Sequence, residues 1–304
     1  MPDAPGEDLF DDPALRNAVA TAFGFRVRNF GDAAMPQWCF ERSRLGLRRI
    51  EISPLGLYSA VHDSPGPHDV LRRFIAASHG GLRTSLRVNV NPLEPRASEL
   101  ADAARSCGWR VEPHTTHVLH VGDSIEDLRR GYHATKRSQA RRGNGPASVI
   151  SVAQTPTQID DYVAAYDASV ARWGASGRTY PRELFVALQG CPSARIWTNH
   201  VEGRLACAMV VLYCRRYALY WHGVSHIEAD QKAAFPMVRL MDRVLADLAE
   251  RGIAQMNMGA SDGLPNVRRF KEEFGARPAD YVSLVKEAPI ARALAWARRI
   301  PQRG

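Results

Sequence analysis

Asn257-Met258-Gly259-Ala260-Ser261-Asp262-Gly263-Leu264-Pro265-Asn266-Val267-Arg268-Arg269-Phe270-Lys271-Glu272-Glu273-Phe274-Gly275 is the stretch from which the fold of this 304-residue chain is read. A strand reads up to Gly259. A loop built from Gly, Asp and Pro follows, and a short helix closes at Gly275. Loops at strand ends hold substrates in α/β folds. Phe270 and Phe274 sit four apart and anchor the helix. Lys271 then projects to a different side, where an ammonium can stabilise an oxyanion. The residues alone favour a solvent-facing lysine beside Glu272.

Working outward, the elements on either side alternate between strands and helices. Upstream, the strands Ala194–His200, Arg204–Cys214 and Tyr217–Val224 are joined by Glu202-Gly203, a hairpin signal, and Arg215-Arg216. A long helix spans about Lys232 to Glu250 and stops at Gly252. Pro156 to Trp173 is amphipathic, with Ile159, Tyr162, Val163, Tyr166 and Val170 three or four apart. Pro181 to Gln189 is another helix and Ser148–Val152 a strand. Downstream, Asp280–Val285 is a strand and Ile290–Ile300 a basic helix.

The first half repeats this mixture. Helices are predicted over Pro13–Phe23 (with Asp12 as N-cap), Pro67–Ser78 and Ser98–Cys107. Strands are predicted around Trp38–Phe40, Ile50–Ile52, Gly56–Val61, Thr84–Val90 and Trp109–Val121. The fold class is α+β (mixed α/β), each half a mixed, partly antiparallel sheet packed with helices. The expected boundaries are 1–123, 124–287 and a basic tail at 288–304.

Composition is that of a globular chain, 45% hydrophobic and 24% charged. No apolar run reaches the ~18 residues of a membrane span, so no integral membrane segment is expected. The acidic start, Met1 to Asp12, lacks the pattern of a signal peptide. It reads as a frayed tail on a cytoplasmic, monomeric protein. Five scattered cysteines without a CxxC pair predict free buried thiols rather than a disulfide framework or a zinc site. The ten histidines are dispersed and no metal is expected. A net charge of +8 favours a polyanionic partner such as tRNA.

Two further clusters carry possible chemistry. In Ala134-Thr-Lys-Arg-Ser-Gln-Ala-Arg-Arg-Gly143, Arg137 and Arg141 share one helix face and Lys136 lies beside it. Like charges four apart repel, and a cluster kept at that cost suits an anion as well as a solvated face. In Tyr217-Ala-Leu-Tyr-Trp-His-Gly-Val224, strict alternation puts Tyr220 and His222 on one strand face and Leu219 and Trp221 on the other. His222 has the right ordinary pKa for a base.

The order of these blocks resembles the Fem-like branch of the GNAT acyltransferases, and the related BioF2-like acetyltransferases. The blocks are Lys136-Arg-x-x-x-Arg-Arg-Gly143, Arg172-Trp173-Gly174, Glu202-Gly-Arg-Leu-Ala206, Tyr220-Trp-His-Gly223, Asn257-Met-Gly259 and Phe270-Lys-Glu-Glu-Phe-Gly-Ala276. The resemblance covers about Ser124 to Val285 well and the first half in element order. It implies two tandem GNAT-like lobes with a substrate channel between them, and attack of an amine on an activated acyl carbonyl. In that family the lysine of the Phe-Lys motif faces the carbonyl, and Lys271 matches it. Lys271 and His222 are therefore the catalytic candidates. Lys136, Arg137, Arg141, Trp173, Arg178, Tyr220, Trp221, Asn257, Gly259, Asn266, Arg269 and Phe270 are the substrate-binding candidates.

The donor is read from a missing motif. Acyl-CoA enzymes of this superfamily cradle pyrophosphate on the amides of a glycine-rich loop opening a helix. The matching slot, Val224 to Pro236, has no glycine and two acids. With the basic charge, this favours aminoacyl-tRNA as donor co-substrate, no bound cofactor, and an amine-bearing small molecule or cell-wall precursor as acceptor. An acyl-CoA N-acyltransferase is the alternative. A non-catalytic tRNA- or anion-binding module is the third reading.

Overall fold

The structure is a computed structural model that describes residues 6, 8–31, 37–54, 67–77, 81–122, 124–142, 148–173, 180–226, 231–261 and 264–290. The chain divides into two compact units. One comprises Met1–Ala22 and Thr115–Ala279, the other Phe23–His114 and Asp280–Gly304. This differs from the contiguous boundary at 123/124 read from the sequence. The reason is that two long strands, β5 (Arg110–His120) and β11 (Arg277–Lys286), each pass from one unit into the other.

In the larger unit, strands run in the order β5, β10 (Gln255–Ala260), β9 (Ala218–Ser225), β8 (Arg204–Tyr213), β7 (Ala194–Val201) and β6 (Ser148–Val152). Only β9 and β10 pair in parallel; the other neighbours are antiparallel. The β7–β8 hairpin turns on Glu202 and Gly203, both left-handed with φ of 53° and 77°, as the Glu-Gly pair predicts. Helix α8 (Pro236–Glu250) covers one face, joined by α4 (Ile125–Gly131) and α5 (Ala134–Arg142). Leu240, Met241, Val244, Leu245 and Leu248 of α8 meet Met209, Val211, Met256 and Met258 of the sheet in one buried core. The other face carries α6 (Pro156–Trp173) and α7 (Arg182–Leu188). Ile159, Tyr162, Tyr166, Leu184, Phe185 and Leu188 are fully buried there, so the three-and-four spacing read in α6 is its packing stripe.

Asp12 caps α1 (Pro13–Phe23) as expected: its carboxylate accepts from the amide of Ala14 at 2.8 Å. The frayed tail does not survive as a description of residues 8–12. Leu9 and Phe10 are buried in a 3₁₀ turn, Leu9–Asp11, and Asp12 also accepts from the amide of Ser193 at 3.1 Å and from its hydroxyl. The acidic letters disguise two apolar anchors and a capping carboxylate.

The smaller unit orders its strands β1 (Arg26–Asn29), β2 (Trp38–Arg44), β3 (Leu47–Glu51), β4 (Thr84–Asn89) and β11. Helices α2 (Pro67–Ala77) and α3 (Ala97–Ser106) belong to the same unit. Leu71, Phe74, Leu100, Ala104 and Trp109 pack with Ile50, Leu86, Val88 and Leu284. The strand read at Gly56–Val61 and nearly all of the basic C-terminal helix lie outside the described residues. Among the described residues no helix is long and apolar enough to cross a membrane. The five cysteines are unpaired, and four are buried.

Candidate active site

The site is built at the end of β10. Gly259 has a left-handed φ of 76°, strained for an L side chain, and lies in a bulge of β10 between Asn257, paired with Val118, and Ala260, paired with Thr116 of β5. Helix α9 (Pro265–Glu273) follows, opened by Pro at its first turn and closed where the Ala276 amide donates to the Lys271 carbonyl at 3.2 Å. Phe274 is fully buried and Phe270 partly so, which fixes the roll of this short helix. Lys271 is thereby turned into the loop rather than toward solvent, with 2% of its surface exposed. Its ammonium donates to the carbonyls of Gly259 and Ala260, each at 2.7 Å, and to the Ser261 hydroxyl oxygen at 2.9 Å. An ammonium has three protons, and all three are directed at the β10 end. An acyl oxygen reaches this charge directly only by taking the place of one of those acceptors.

Strands β9 and β10 pair only at Ala218 with Met256 and Leu219 with Asn257. Beyond that point they form a fork. Asn257 sits at its base, fully buried, its Oδ1 accepting from Thr116 Oγ1 at 2.8 Å and from the Gly259 amide at 2.9 Å. Its Nδ2 donors have no hydrogen-bond partner among the described residues. Tyr162, from α6, likewise has a fully buried hydroxyl without a partner. Burial, with the other tyrosines around it, holds the Tyr162 phenol protonated by pushing its pKa well up.

The structure corrects the reading of β9. Val211 pairs with Tyr220 and Val210 with His222, so Trp221 is an extra, bulged residue. The bulge sends Tyr220 and His222 to opposite faces instead of one. Tyr220 packs against the α8 core, while His222 meets Tyr166 edge-on and Tyr180 at a tilt, with ring centroids 5.9 and 4.7 Å apart. Trp221 lies 5.3 Å from Tyr180. Gly223 is required by Tyr220: a Cβ there would sit 1.7 Å from the Tyr220 hydroxyl.

The basic segment is α5, and its charges divide. Lys136 pairs with Glu273 of α9 at 3.2 Å and lies over the Phe270 ring at 5.2 Å. Arg137 donates to the carbonyls of Arg130 and Tyr132 at 3.0 and 3.4 Å, closing the end of α4. Arg141 is exposed. Two of the three charges thus hold α4, α5 and α9 together. Arg269 is exposed and pairs with Glu273 at 3.0 Å, and Asn266 is exposed at the start of α9. Glu273 is pushed up by burial, yet Arg269 and Lys136 leave it below its ordinary pKa. Arg178 lies outside the described residues, and Trp173 is described only as the end of α6.

A pocket of ≈ 420 Å³ opens beside Lys271, lined by Thr115, His117, Ser261, Leu264, Pro265, Arg268 and Pro278. His117, on β5, is 4% exposed, and in the sequence nothing marks it out among the ten dispersed histidines.

At the start of α8, the slot expected to lack a phosphate loop, Pro236 has no amide hydrogen. The Ala234 and Phe235 amides are spent on the carbonyls of Gln231 and Lys232, both at 3.1 Å, in the 3₁₀ turn Lys232–Ala234.

Residues 127–272 match the family of acetyltransferase (GNAT) domains. FemX has a similar structure, with a TM-score of 0.74 at 10% identity over 93% of both chains. The C-terminal domain of a protein assigned as a lysylphosphatidylglycerol synthetase from Agrobacterium fabrum aligns with a TM-score of 0.64 at 16% identity, over 95% of this chain and 93% of that one. L-PGS from Bacillus licheniformis gives 0.58 at 15% identity over 99% of both. No curated protein matches the chain in sequence. At these identities the likeness is one of fold. What is shared is the mixed α/β fold.

Proposed function

We propose that this GNAT-domain chain is an N-acyltransferase that moves an aminoacyl group from aminoacyl-tRNA to an amine acceptor, forming an amide bond. The observation that carries the transfer is the fork between β9 and β10. Its β10 arm is bulged at Gly259, and the buried Lys271 ammonium is bonded to the carbonyls of Gly259 and Ala260 on that arm. A positive charge held there, away from water, favours an acyl carbonyl on which negative charge develops. In the attack itself the Ser261 hydroxyl yields its place at Lys271 to the carbonyl oxygen. The Nδ2 donors of Asn257, at the base of the fork, are buried and have no partner among the described residues.

The choice of donor rests on the start of α8. Two amides spent on a 3₁₀ turn and a proline in the first turn argue against a pyrophosphate cradle. A net charge of +8 suits the phosphates of a tRNA. The family description of the domain, acetyltransferase, favours acyl-CoA as the competing donor. The test is a pair of parallel incubations of the chain with a panel of primary amines. One contains tRNA charged with labelled amino acids, the other labelled acetyl-CoA. Amide product from the first, abolished by ribonuclease, is the expected result. Product from the second without RNA replaces this donor with CoA.

A further inference from the structure

Four side chains meet at the pocket beside β10: His117 of β5, Ser261 of the loop after β10, and Lys271 and Glu272 of α9. Ser261 Oγ lies 3.3 Å from His117 Nδ1 and 2.9 Å from Lys271 Nζ. His117 Nε2 is buried, has no hydrogen-bond partner among the described residues, and stands 3.7 Å from the nearer carboxylate oxygen of Glu272. His117 and Ser261 both line the pocket.

The order of donation follows from chemistry. An ammonium only donates, so Ser261 Oγ gives one lone pair to Lys271. The Ser261 proton is then free to be donated to His117 Nδ1, and the second lone pair of Oγ remains for a group in the pocket. Neutral His117 must in that case carry its proton on Nε2, facing Glu272.

We propose that Ser261 and His117 are a proton relay that takes the proton from the acceptor amine as it attacks. This rests on the reading that the domain acylates an amine. The amine nitrogen bonds to the ester carbonyl carbon, and the carbonyl π pair moves to oxygen. The nitrogen's proton passes to Ser261 Oγ while the Ser261 proton passes to His117 Nδ1. When the tetrahedral species collapses, the carbon–oxygen ester bond breaks. The leaving ribose oxygen receives the proton back from His117 through Ser261. The sum is ester plus amine to amide plus alcohol, with both side chains restored.

The surroundings suit a base that must start neutral. Burial first, and then the Lys271 charge, hold His117 below its ordinary pKa, with Arg268 acting in the same direction. Glu272 opposes them and receives the imidazolium when it forms. Arg268, bonded to Glu272 at 2.7 Å, keeps that carboxylate below its usual range.

The test combines kinetics with a measurement that needs no substrate. With an ordinary primary amine, Ser261→Ala and His117→Gln should each lower kcat ~10²–10⁴-fold, and the double variant should be no worse than either. Ser261→Thr, which keeps the hydroxyl, should stay within about tenfold of the parent. Hydroxylamine, largely unprotonated at neutral pH, should recover most of the loss in both variants. Nitrogen NMR of the unliganded protein should show the His117 proton on Nε2. Undiminished turnover in Ser261→Ala, additive losses, an acyl adduct on Ser261 by intact-mass analysis, or a proton resident on Nδ1 each overturn the relay while leaving acyl transfer standing. A parent protein that acylates no amine from either donor overturns both.

Discussion

The ammonium of Lys271 stands 2.9 Å from the hydroxyl oxygen of Ser261, and the same ammonium ties down the carbonyls of Gly259 and Ala260. A single buried charge therefore shapes the strand end and supplies its electrostatics. Lys271→Met should show both losses at once. The carbonyls of half-buried Gly259 and exposed Ala260 lose a hydrogen bond each, a cost of ~0.5–1.5 kcal/mol apiece, read as a lower urea midpoint. Turnover should fall ~10²–10³-fold, as when an oxyanion donor is removed. Lys271→Arg should not restore activity, because a planar guanidinium cannot place three protons at one point.

Acid should loosen this region through His117. Burial and the Lys271 charge lower its pKa in the folded state, whereas the unfolded chain takes up the proton near ~6.5. Between those two values the unfolded state binds more protons, so stability falls as pH falls through that window. His117→Gln removes the contribution. Urea midpoints measured at about pH 7.5 and about pH 5.5 should drop more steeply for the parent than for the variant.

The N-terminal anchor can be tested apart from chemistry. Asp12→Ala strips the cap from α1 and two donors of Ser193 from their acceptor. We expect a loss of about 2–4 kcal/mol in chemical denaturation. Deleting residues 1–12 should cost more, because Leu9 and Phe10 leave the core as well.

Much of the frame was legible in the letters, since it follows from periodicity. The stripe of Ile159, Tyr162 and Tyr166 gave α6, and Glu202-Gly203 marked the hairpin. The motif around Lys271 was legible in placement but not in environment. Sequence shows that Lys271 points away from Phe270 and Phe274, yet not that three acceptors wait for it. The bulge at Trp221 left no signal, because it depends on how β9 registers against β8, and it undid the shared face of Tyr220 and His222. His117 was invisible as a partner of Ser261, 144 residues away, since only the pairing of β5 with β10 brings them together. Lys136 and Arg137 read as an anion site because their acceptors, Glu273 and the carbonyls closing α4, come from packing.

The close approach of Tyr220 to Gly223 makes a sharp packing test. Gly223→Ala places a methyl 1.7 Å from the phenolic oxygen and 2.7 Å from the ring carbon that bears it. The buried ring must move, at ~1–3 kcal/mol, read as a lower thermal midpoint. Tyr220→Phe in the same chain should relieve part of that cost and not all, because the ring carbon remains in the way.

Aminoacyl transfer from tRNA to an amine is the proposed reaction that most needs direct observation. The most direct measurement is a single-turnover experiment with excess protein, tRNA charged with a labelled amino acid, and a primary amine. Label should leave the tRNA and appear in an amide at a rate that rises with protein concentration, ribonuclease should abolish this transfer, and Lys271→Met should slow it ~10²–10³-fold. Label that stays on the tRNA, while acetyl-CoA acetylates the same amine in the absence of RNA, would contradict the proposed reaction.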